Sequence, residues 1–176
     1  MLFYRTIKCQ SNPWACSVGK TRKRKKDVTK IVVHFTGNKN DTPRANAKYF
    51  RDHKERYAGA HIVIGVKGRA YKCANYNHIT WSVGGGKLVG TRGGTQNGIV
   101  TNSNSVSIEL CSMTSANIPD KQMEKLKKTI RNIKKRCPSV NDIVRHYDVT
   151  GKDCPHPWVD ETVWKKIRKE LLDEII

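Results

Sequence analysis

Short runs of apolar, often β-branched residues recur along the chain and predict four β-strands. The runs cover Lys30 to Phe35, His61 to Val66, Ala70 to Cys73 and Ser105 to Leu110. Lys67-Gly68 separates the second run from the third, as expected for the turn of a hairpin. Small polar and apolar residues alternate in the last run, which predicts a core strand that carries one carboxylate, Glu109.

Three further stretches have the spacing or the start signals of helices. Thr42-Pro43 predicts an N-cap and a first helical position, and we expect this helix to continue to about Tyr57. Apolar positions from about Asp120 to Arg136 share one helical face, and Asp160 is the expected N-cap of a last helix. Strands and helices therefore intermix, which predicts an α/β fold with a mixed central β-sheet flanked by helices.

Two segments lack a regular period and are expected to be loops. Residues 17–30 carry a dense run of lysine and arginine, which predicts an exposed basic loop before the first core strand. Glycines dominate residues 84–98 and predict a long surface loop there. The length of 176 residues fits a single domain that spans residues 1–176.

The charge balance limits the classes of partner. Lysine and arginine number 34 against 15 aspartate and glutamate, for a formal net charge of +19. Nucleic acid, anionic bacterial wall polymers and an acidic membrane surface would each be attracted by such a surface. The sequence has no zinc-finger spacing and no interleaving of aromatic with basic residues, so we expect no specific binding of nucleic acid.

The cysteines and the amino terminus bear on the compartment. Six cysteines, at positions 9, 16, 73, 111, 137 and 154, have neither the density of a disulfide scaffold nor a Cys-x-x-Cys pair, which favours a reducing place of synthesis. The apolar run at the amino terminus is too short for a signal peptide, and no stretch reaches the length of a transmembrane helix. We therefore expect synthesis in the cytoplasm and no membrane insertion.

The segment from Arg145 to His156, which we expect to be a loop, gathers an imidazole, an ammonium group and a thiol. Zinc binds nitrogen and sulfur ligands, and a catalytic zinc typically has three protein ligands and an open position for water. His146 and Cys154 are candidates for two ligands, and His34, in the first predicted strand, is the leading candidate for the third. Each of these residues alone is more often a packed core side chain, whereas Lys152 is hard to explain by packing.

Four blocks of the sequence resemble the zinc-dependent N-acetylmuramoyl-L-alanine amidases, a family that includes phage endolysins, T7 lysozyme and the peptidoglycan recognition proteins. The blocks, in the family's order, are Ile31 to Thr36, Ala60 to Ile64, Asn104 to Cys111 and His146 to His156. A tryptophan followed by glycines, at Trp81 to Gly86, is similar to a feature of phage and prophage amidases from Gram-positive hosts. The resemblance implies the mixed sheet flanked by helices, with a zinc site at the strand ends.

The resemblance also implies catalytic roles. His34, His146 and Cys154 would bind one zinc ion. Glu109 would act as the general base, and Lys152 would stabilise the negative charge of the transition state.

Other positions are implied to contact the substrate or depart from the family pattern. Thr36, His61, Trp81 and His156 are possible substrate contacts, although packing is the more frequent role for His61 and loop anchoring for Trp81. T7 lysozyme and the catalytic recognition proteins have a tyrosine where this chain has Ala60. Proton transfer is therefore expected to depend on the glutamate.

The implied reaction is hydrolysis of the bond between N-acetylmuramic acid and L-alanine in bacterial peptidoglycan. We expect a monomer, attracted to anionic wall polymers by its basic surface, that acts on the wall after release from the cytoplasm. A carboxy-terminal wall-binding domain in a longer protein is left open. The alternatives are a basic nucleic-acid-binding protein and a noncatalytic member of the fold that binds muropeptides or regulates a polymerase, although no metal ligand is lost here.

Overall fold

The computed structural model describes residues 4–18, 25–84 and 94–176, which form a six-stranded sheet flanked by helices. The strands are β1 (Arg5–Thr6), β2 (Lys30–Phe35), β3 (Ile62–Ile64), β4 (Ala70–Lys72), β5 (Ser105–Leu110) and β6 (Asp142–Arg145). The helices are α1 (Pro43–Asp52), α2 (Asp120–Arg136), α3 (His146–Thr150) and α4 (Glu161–Leu172). The strand order is β1-β4-β3-β5-β2-β6, and only β3 and β4 are antiparallel neighbours. The predicted mixed α/β sheet is confirmed.

One face of the sheet, the aliphatic face, contributes to the largest core cluster. Its fully buried side chains on β2 and β5 are Ile31, Val33, Val106, Ile108 and Leu110. They belong to one cluster with Leu126, Ile130 and Ile133 of α2 and with Trp164 and Leu171 of α4. Burial of one such aliphatic side chain contributes roughly 1.5–3 kcal/mol. This packing anchors the same strands whose opposite face carries the polar residues.

The opposite face, the polar face, carries the candidate chemistry. The strand register pairs His34 of β2 with Glu109 of β5, and Glu109 with Val63 of β3. Because side chains alternate along a strand, Ser107 shares this face with Glu109. A second buried cluster, which joins Phe50 of α1 to Val63 and to the amino-terminal segment, covers part of the face. The site is therefore built where the sheet carries polar side chains.

The first helix is shorter than the sequence predicts. It ends at Asp52, whereas the sequence pattern suggested about Tyr57. The side-chain amide of Asn12 donates hydrogen bonds to the carbonyl oxygens of Phe50 and His53, at 3.0 and 2.9 Å. These bonds satisfy carbonyl groups at the helix end, so the chain can leave the helix there. A cap supplied by such a distant part of the chain is invisible to a local pattern.

The other predicted elements agree more closely with the structure. The long helix at Asp120–Arg136 is confirmed, and so is the last helix, capped by the Asp160 side chain. The strand predicted over His61 to Val66 is limited to Ile62–Ile64. The strands β1 and β6 and the helix α3 were not predicted, and α3 begins at His146, where a loop was expected.

The two predicted loops are described only in part. The basic segment contains a short 3-10 helix at Lys25–Asp27, and its residues 19–24 lie outside the described residues. In the glycine-rich segment, residues 85–93 also lie outside them. Within the described ranges, no helix combines the length and the apolar character needed to span a membrane.

Candidate metal centre and active site

The three side chains predicted as metal ligands lie together near the carboxyl ends of β2 and β6. The Nδ1 atoms of His34 and His146 are 3.2 Å apart, and the Sγ of Cys154 lies 3.9 Å from the Nδ1 of His34. All three residues are buried, and one ligand atom from each lies within 4.8 Å of the other two. Across residues 4–18, 25–84 and 94–176, no other three histidine, cysteine or acidic residues come this close.

The spacing of these donor atoms fits a tetrahedral metal ion. With zinc–nitrogen distances of about 2.0–2.1 Å and a zinc–sulfur distance of about 2.3 Å, tetrahedral angles separate two nitrogens by about 3.3 Å and nitrogen from sulfur by about 3.6 Å. The observed separations of 3.2 and 3.9 Å are close to these values. Two imidazoles and one thiolate leave a fourth position open, as catalytic zinc sites do.

A tight turn returns Cys154 to His146. Helix α3 ends at Thr150 and is capped by Gly151, whose φ of 73° lies in the left-handed region that glycine adopts without a Cβ clash. Beyond this turn the backbone N–H of Tyr147 donates to the carbonyl oxygen of Cys154 at 2.8 Å, and the N–H of Cys154 donates to that of Lys152 at 2.7 Å. The turn thereby sets two candidate ligands, His146 and Cys154, and the lysine in one compact unit.

A buried arginine supports this unit from the aliphatic side. Arg145 is 2% exposed, and it donates from Nε and Nη2 to the Asp148 carboxylate at 3.1 and 2.6 Å. Its Nη1 donates to the carbonyl oxygens of Trp158 and Val159 at 2.8 and 3.0 Å, and its guanidinium lies 5.1 Å from the Trp164 ring. No role was predicted for Arg145. The available signal was an arginine in an apolar stretch with an aspartate three residues later.

Glu109 is the carboxylate beside the cluster. It pairs with His34 across β5 and β2, and its buried Oε2 has no hydrogen-bond partner among the described residues. Burial raises the pKa of Glu109 from 4.5 to about 7, while Lys152 lowers this pKa and Asp41 raises it. A carboxyl group that titrates near neutral pH can both accept and release a proton.

The surroundings keep the three donors neutral when no metal is bound. Burial lowers the pKa of His34 well below its usual range and that of His146 to about 4, and the charge of Lys152 lowers both further. Burial raises the pKa of Cys154 to about 12, and Glu109 raises it further. The imidazoles are therefore ready to bind a cation, whereas the thiol must release its proton on metal binding.

His61 makes hydrogen bonds within the protein, as expected for a packing role, and a contact with substrate stays a prediction. The ring is fully buried, and its Nδ1 accepts a hydrogen bond from the backbone N–H of Ser107 at 3.0 Å. Since Nδ1 is an acceptor, the proton lies on Nε2, which donates to the carbonyl oxygen of His78 at 3.1 Å. The ring therefore ties β5 to the segment that follows β4, and both of its nitrogens are used.

The other expected substrate contacts remain predictions. Thr36 directly follows β2 and is partly exposed. The His156 side chain is 66% exposed, and its Nδ1 lies 2.6 Å from a carboxylate oxygen of Asp153. The Trp81 Nε1 donates to the carbonyl oxygen of Pro13 at 2.8 Å, which ties the amino-terminal segment to the segment that follows β4.

The fold and the donor set together define an α/β domain with a buried His-His-Cys cluster, a candidate metal site, beside a carboxylate. Residues 24–157 match the N-acetylmuramoyl-L-alanine amidase family, and the chain belongs to this family. The resemblance found in the sequence is thereby confirmed.

The chain is similar to two known amidases in sequence and to one solved catalytic domain in structure. It is 28% identical over 142 residues to the N-acetylmuramoyl-L-alanine amidase BlyA of Bacillus subtilis (strain 168), which covers 77% of this chain and 38% of BlyA. It is 27% identical over 158 residues to the N-acetylmuramoyl-L-alanine amidase CwlL of Bacillus licheniformis, over 85% of this chain and 42% of CwlL. The chain thus spans about two fifths of the length of these relatives. The solved catalytic domain of XlyA has the same fold, with a TM-score of 0.71 and 18% identity over 96% of this chain and 99% of that one.

Proposed function

We propose that this domain hydrolyses the amide bond between the lactyl group of N-acetylmuramic acid and L-alanine in bacterial peptidoglycan. The observation that carries the proposal is the placement of Glu109 next to the buried cluster of His34, His146 and Cys154. Family membership supports the same reaction, since both curated relatives are named for it.

The metal in this proposal is zinc, held by His34, His146 and Cys154. A zinc ion with an open position polarises a carbonyl group and lowers the pKa of a bound water molecule from about 15.7 to about 7. The donor types and their separations support this choice over magnesium or calcium, which prefer oxygen ligands.

Glu109 would move the protons of the reaction. It would take one proton from the attacking water and later deliver it to the leaving amine nitrogen. A pKa near 7 suits both transfers, because the group then exchanges a proton readily at neutral pH. Ala60 stands where some relatives have a tyrosine, so this proton transfer depends on the glutamate alone in our proposal.

Lys152 would stabilise the negative charge that develops on the carbonyl oxygen. The side chain is exposed, yet its charge already lowers the pKa values of Glu109, His34 and His146. Removal of one donor that stabilises such an oxyanion typically lowers kcat by about 10²–10³-fold. We expect a loss of that order for Lys152→Met, measured with a soluble muropeptide.

Two substitutions test the mechanism directly. Glu109→Gln should lower the kcat for a soluble muropeptide by at least about 10²-fold with its zinc content unchanged, because only the proton acceptor is removed. Cys154→Ser should lose zinc and activity together. Glu124→Gln, an exposed carboxylate on α2, is the matched control and should keep full activity.

The outcomes of this test separate the alternatives. Full activity of Glu109→Gln would overturn the role of Glu109. An active protein that contains no zinc would overturn the metal assignment. A wild-type protein that binds the muropeptide without cleaving it would favour the noncatalytic alternative.

We also propose that Trp81 acts with two neighbouring aromatic residues as a surface for the glycan strand. Tyr57 is 69% exposed, and its ring centroid lies 5.0 Å from that of Trp14 and 6.0 Å from that of Trp81. Such rings offer a large apolar area that packs against the apolar face of a sugar. Tyr57→Ala should weaken binding of glycan strands that lack stem peptides, measured by calorimetry. Unchanged binding would contradict the proposed surface.

The helix α2 would attract anionic wall polymers. It carries eight lysine and arginine residues against two acidic ones. Lys121, Lys135 and Arg136 are exposed and form no salt bridge within the described part of the chain. Changing these three to glutamine should weaken sedimentation with purified walls and leave hydrolysis of a soluble muropeptide unchanged.

Equal sedimentation of this variant and the wild type would contradict the role of α2, and sequence-specific DNA binding would favour the nucleic-acid alternative. Release to the wall and a further wall-binding domain remain predictions.

A further inference from the structure

Two buried thiols in the amino-terminal segment touch each other away from the metal centre. The Sγ atoms of Cys9 and Cys16 are 3.6 Å apart, and both side chains are fully buried. All six cysteines are free thiols, and the sulfurs of this pair are in hydrogen-bond contact. The function proposed above gives these two residues no role.

The backbone holds both cysteines in place around one turn. The N–H of Cys9 donates to the carbonyl oxygen of Cys73 at 2.8 Å, and the N–H of Asn12 donates to that of Cys9 at 2.9 Å. The N–H of Cys16 donates to the carbonyl oxygen of Asn12 at 2.9 Å, and Cys16 forms a β-bridge with Thr80. The contact between the sulfurs is therefore fixed by the fold around it.

We propose that Cys9 and Cys16 form a disulfide when the protein meets an oxidising environment. A disulfide has a sulfur–sulfur distance of about 2.05 Å, so rotation of the two side chains must bring the sulfurs about 1.5 Å closer. The bond would close the loop that contains Asn12, whose amide caps the end of α1. The inference does not depend on the proposed amidase activity.

A metal site is the other role that neighbouring thiols can have. Cys73 belongs to the same buried cluster as Cys9 and Cys16. In the described part of the chain, however, the only set of three potential ligands within 4.8 Å of one another is the one around His34. The geometry therefore favours a bond between two sulfurs over coordination by three.

The oxidant would be a low-molecular-weight disulfide such as oxidised glutathione. One protein thiolate attacks it, forms a mixed disulfide and releases one small thiol. The second protein thiolate then attacks the protein sulfur of the mixed disulfide and releases the other small thiol. The protein loses two hydrogens and gains one sulfur–sulfur bond, and the small disulfide is reduced to two thiols.

Burial determines when this exchange is fast. The contact with Cys16 and burial raise the pKa of the Cys9 thiol, so little thiolate is present in the closed protein. Exchange therefore requires opening of the amino-terminal segment or takes place during folding. A low concentration of urea should accelerate it.

The product can be identified by mass spectrometry after tryptic digestion. Both cysteines lie in one tryptic peptide, Cys9 to Lys20, whereas Cys73 begins another. After equilibration with oxidised glutathione and alkylation, the Cys9 to Lys20 peptide should carry no alkyl label. Its mass should be about 2 Da below that of the same peptide with two free thiols. Treatment with dithiothreitol before alkylation should restore both labels.

Stability gives a second readout. Closing a loop this short stabilises a folded chain enough to raise the Tm of a protein of this size by about 5–10 °C. The oxidised wild type should show this rise and lose it in dithiothreitol. Cys9→Ala should show no such difference, and the control Cys137→Ala, from the core of the aliphatic face, should keep it.

Two results would overturn the inference. One is full alkylation of the Cys9 to Lys20 peptide after oxidation in urea and refolding. The other is a cross-link between that peptide and the one that begins at Cys73. The labelling of the wild-type chain gives an answer even if a variant fails to fold.

Discussion

Replacing Glu109 with glutamine should stabilise the metal-free protein above neutral pH. Burial raises the pKa of this carboxyl group from 4.5 to about 7, and its Oε2 has no partner within the described ranges. When the pKa is higher in the folded chain, the folded state binds more protons between the two values, so the free energy of unfolding falls as pH rises through them. The penalty is absent below about pH 4.5 and complete above about pH 7.

The size of this effect follows from the change in pKa. One pH unit corresponds to about 1.4 kcal/mol, so a rise from 4.5 to about 7 lowers the free energy of unfolding by about 3 kcal/mol at high pH. Glutamine keeps the shape of the side chain and carries no charge. Glu109→Gln should therefore raise the Tm by about 6–12 °C above neutral pH, given the length of the chain, and leave it unchanged in acid.

Scanning calorimetry of chelator-treated protein at a series of pH values measures this difference. The two histidine ligands also titrate, but they are present in both proteins and largely cancel in the comparison. Glu124→Gln removes an exposed carboxylate and should follow the wild type at every pH. Parallel curves for wild type and Glu109→Gln between acid and alkaline pH would show that the charge of Glu109 does not destabilise the fold. The same variant should lose at least about 10²-fold in kcat under the proposed mechanism, which would place opposite demands of catalysis and stability on this position.

Three further substitutions test the support of the site. Arg145→Met should lower the free energy of unfolding by about 3–5 kcal/mol in urea titrations, because the Asp148 carboxylate loses its buried partner. The control Arg168→Met, at a half-exposed arginine, should lower it by about 1 kcal/mol or less. Gly94→Ala would place a Cβ 2.1 Å from the carbonyl oxygen of Asp148, so it should lower the Tm and weaken zinc binding in a competition titration. Asn12→Ala should destabilise by about 1–2 kcal/mol, because two carbonyls at the end of α1 lose their donor; an unchanged urea midpoint would contradict the cap.

Local apolar periods predicted the bounds of the elements that bury one regular face in the core. The strand β2 and the helix α2 have the bounds that their apolar periods predict. The strand β6 has only four residues, and a charge at each end hides its period. The helix α3 is a single turn, too short for any periodic signal.

The residues of the candidate site also divide into those that the sequence identified and those whose partners only the fold shows. His34, His146 and Cys154 were recognisable because their chemical types and their order along the chain resemble a family. A packing role was expected for His61, but its partners, Ser107 and His78, could not be named because distant parts of the chain supply them. An imidazole next to a strand looks the same in a sequence whether it faces a ligand or a backbone carbonyl.

Arg145 connects the packing on the aliphatic face of the sheet to the candidate metal cluster. It ends β6 and points into the aliphatic side, where Asp148 and the Trp158 carbonyl fix its guanidinium. The next residue, His146, begins α3 and joins the candidate metal cluster with His34. One peptide bond thus connects a buried ionic network to a ligand, and the ligand cannot shift without moving the network. The affinity for metal should therefore respond to substitutions on the α4 side that touch no ligand, because the apolar packing there holds one ligand in position.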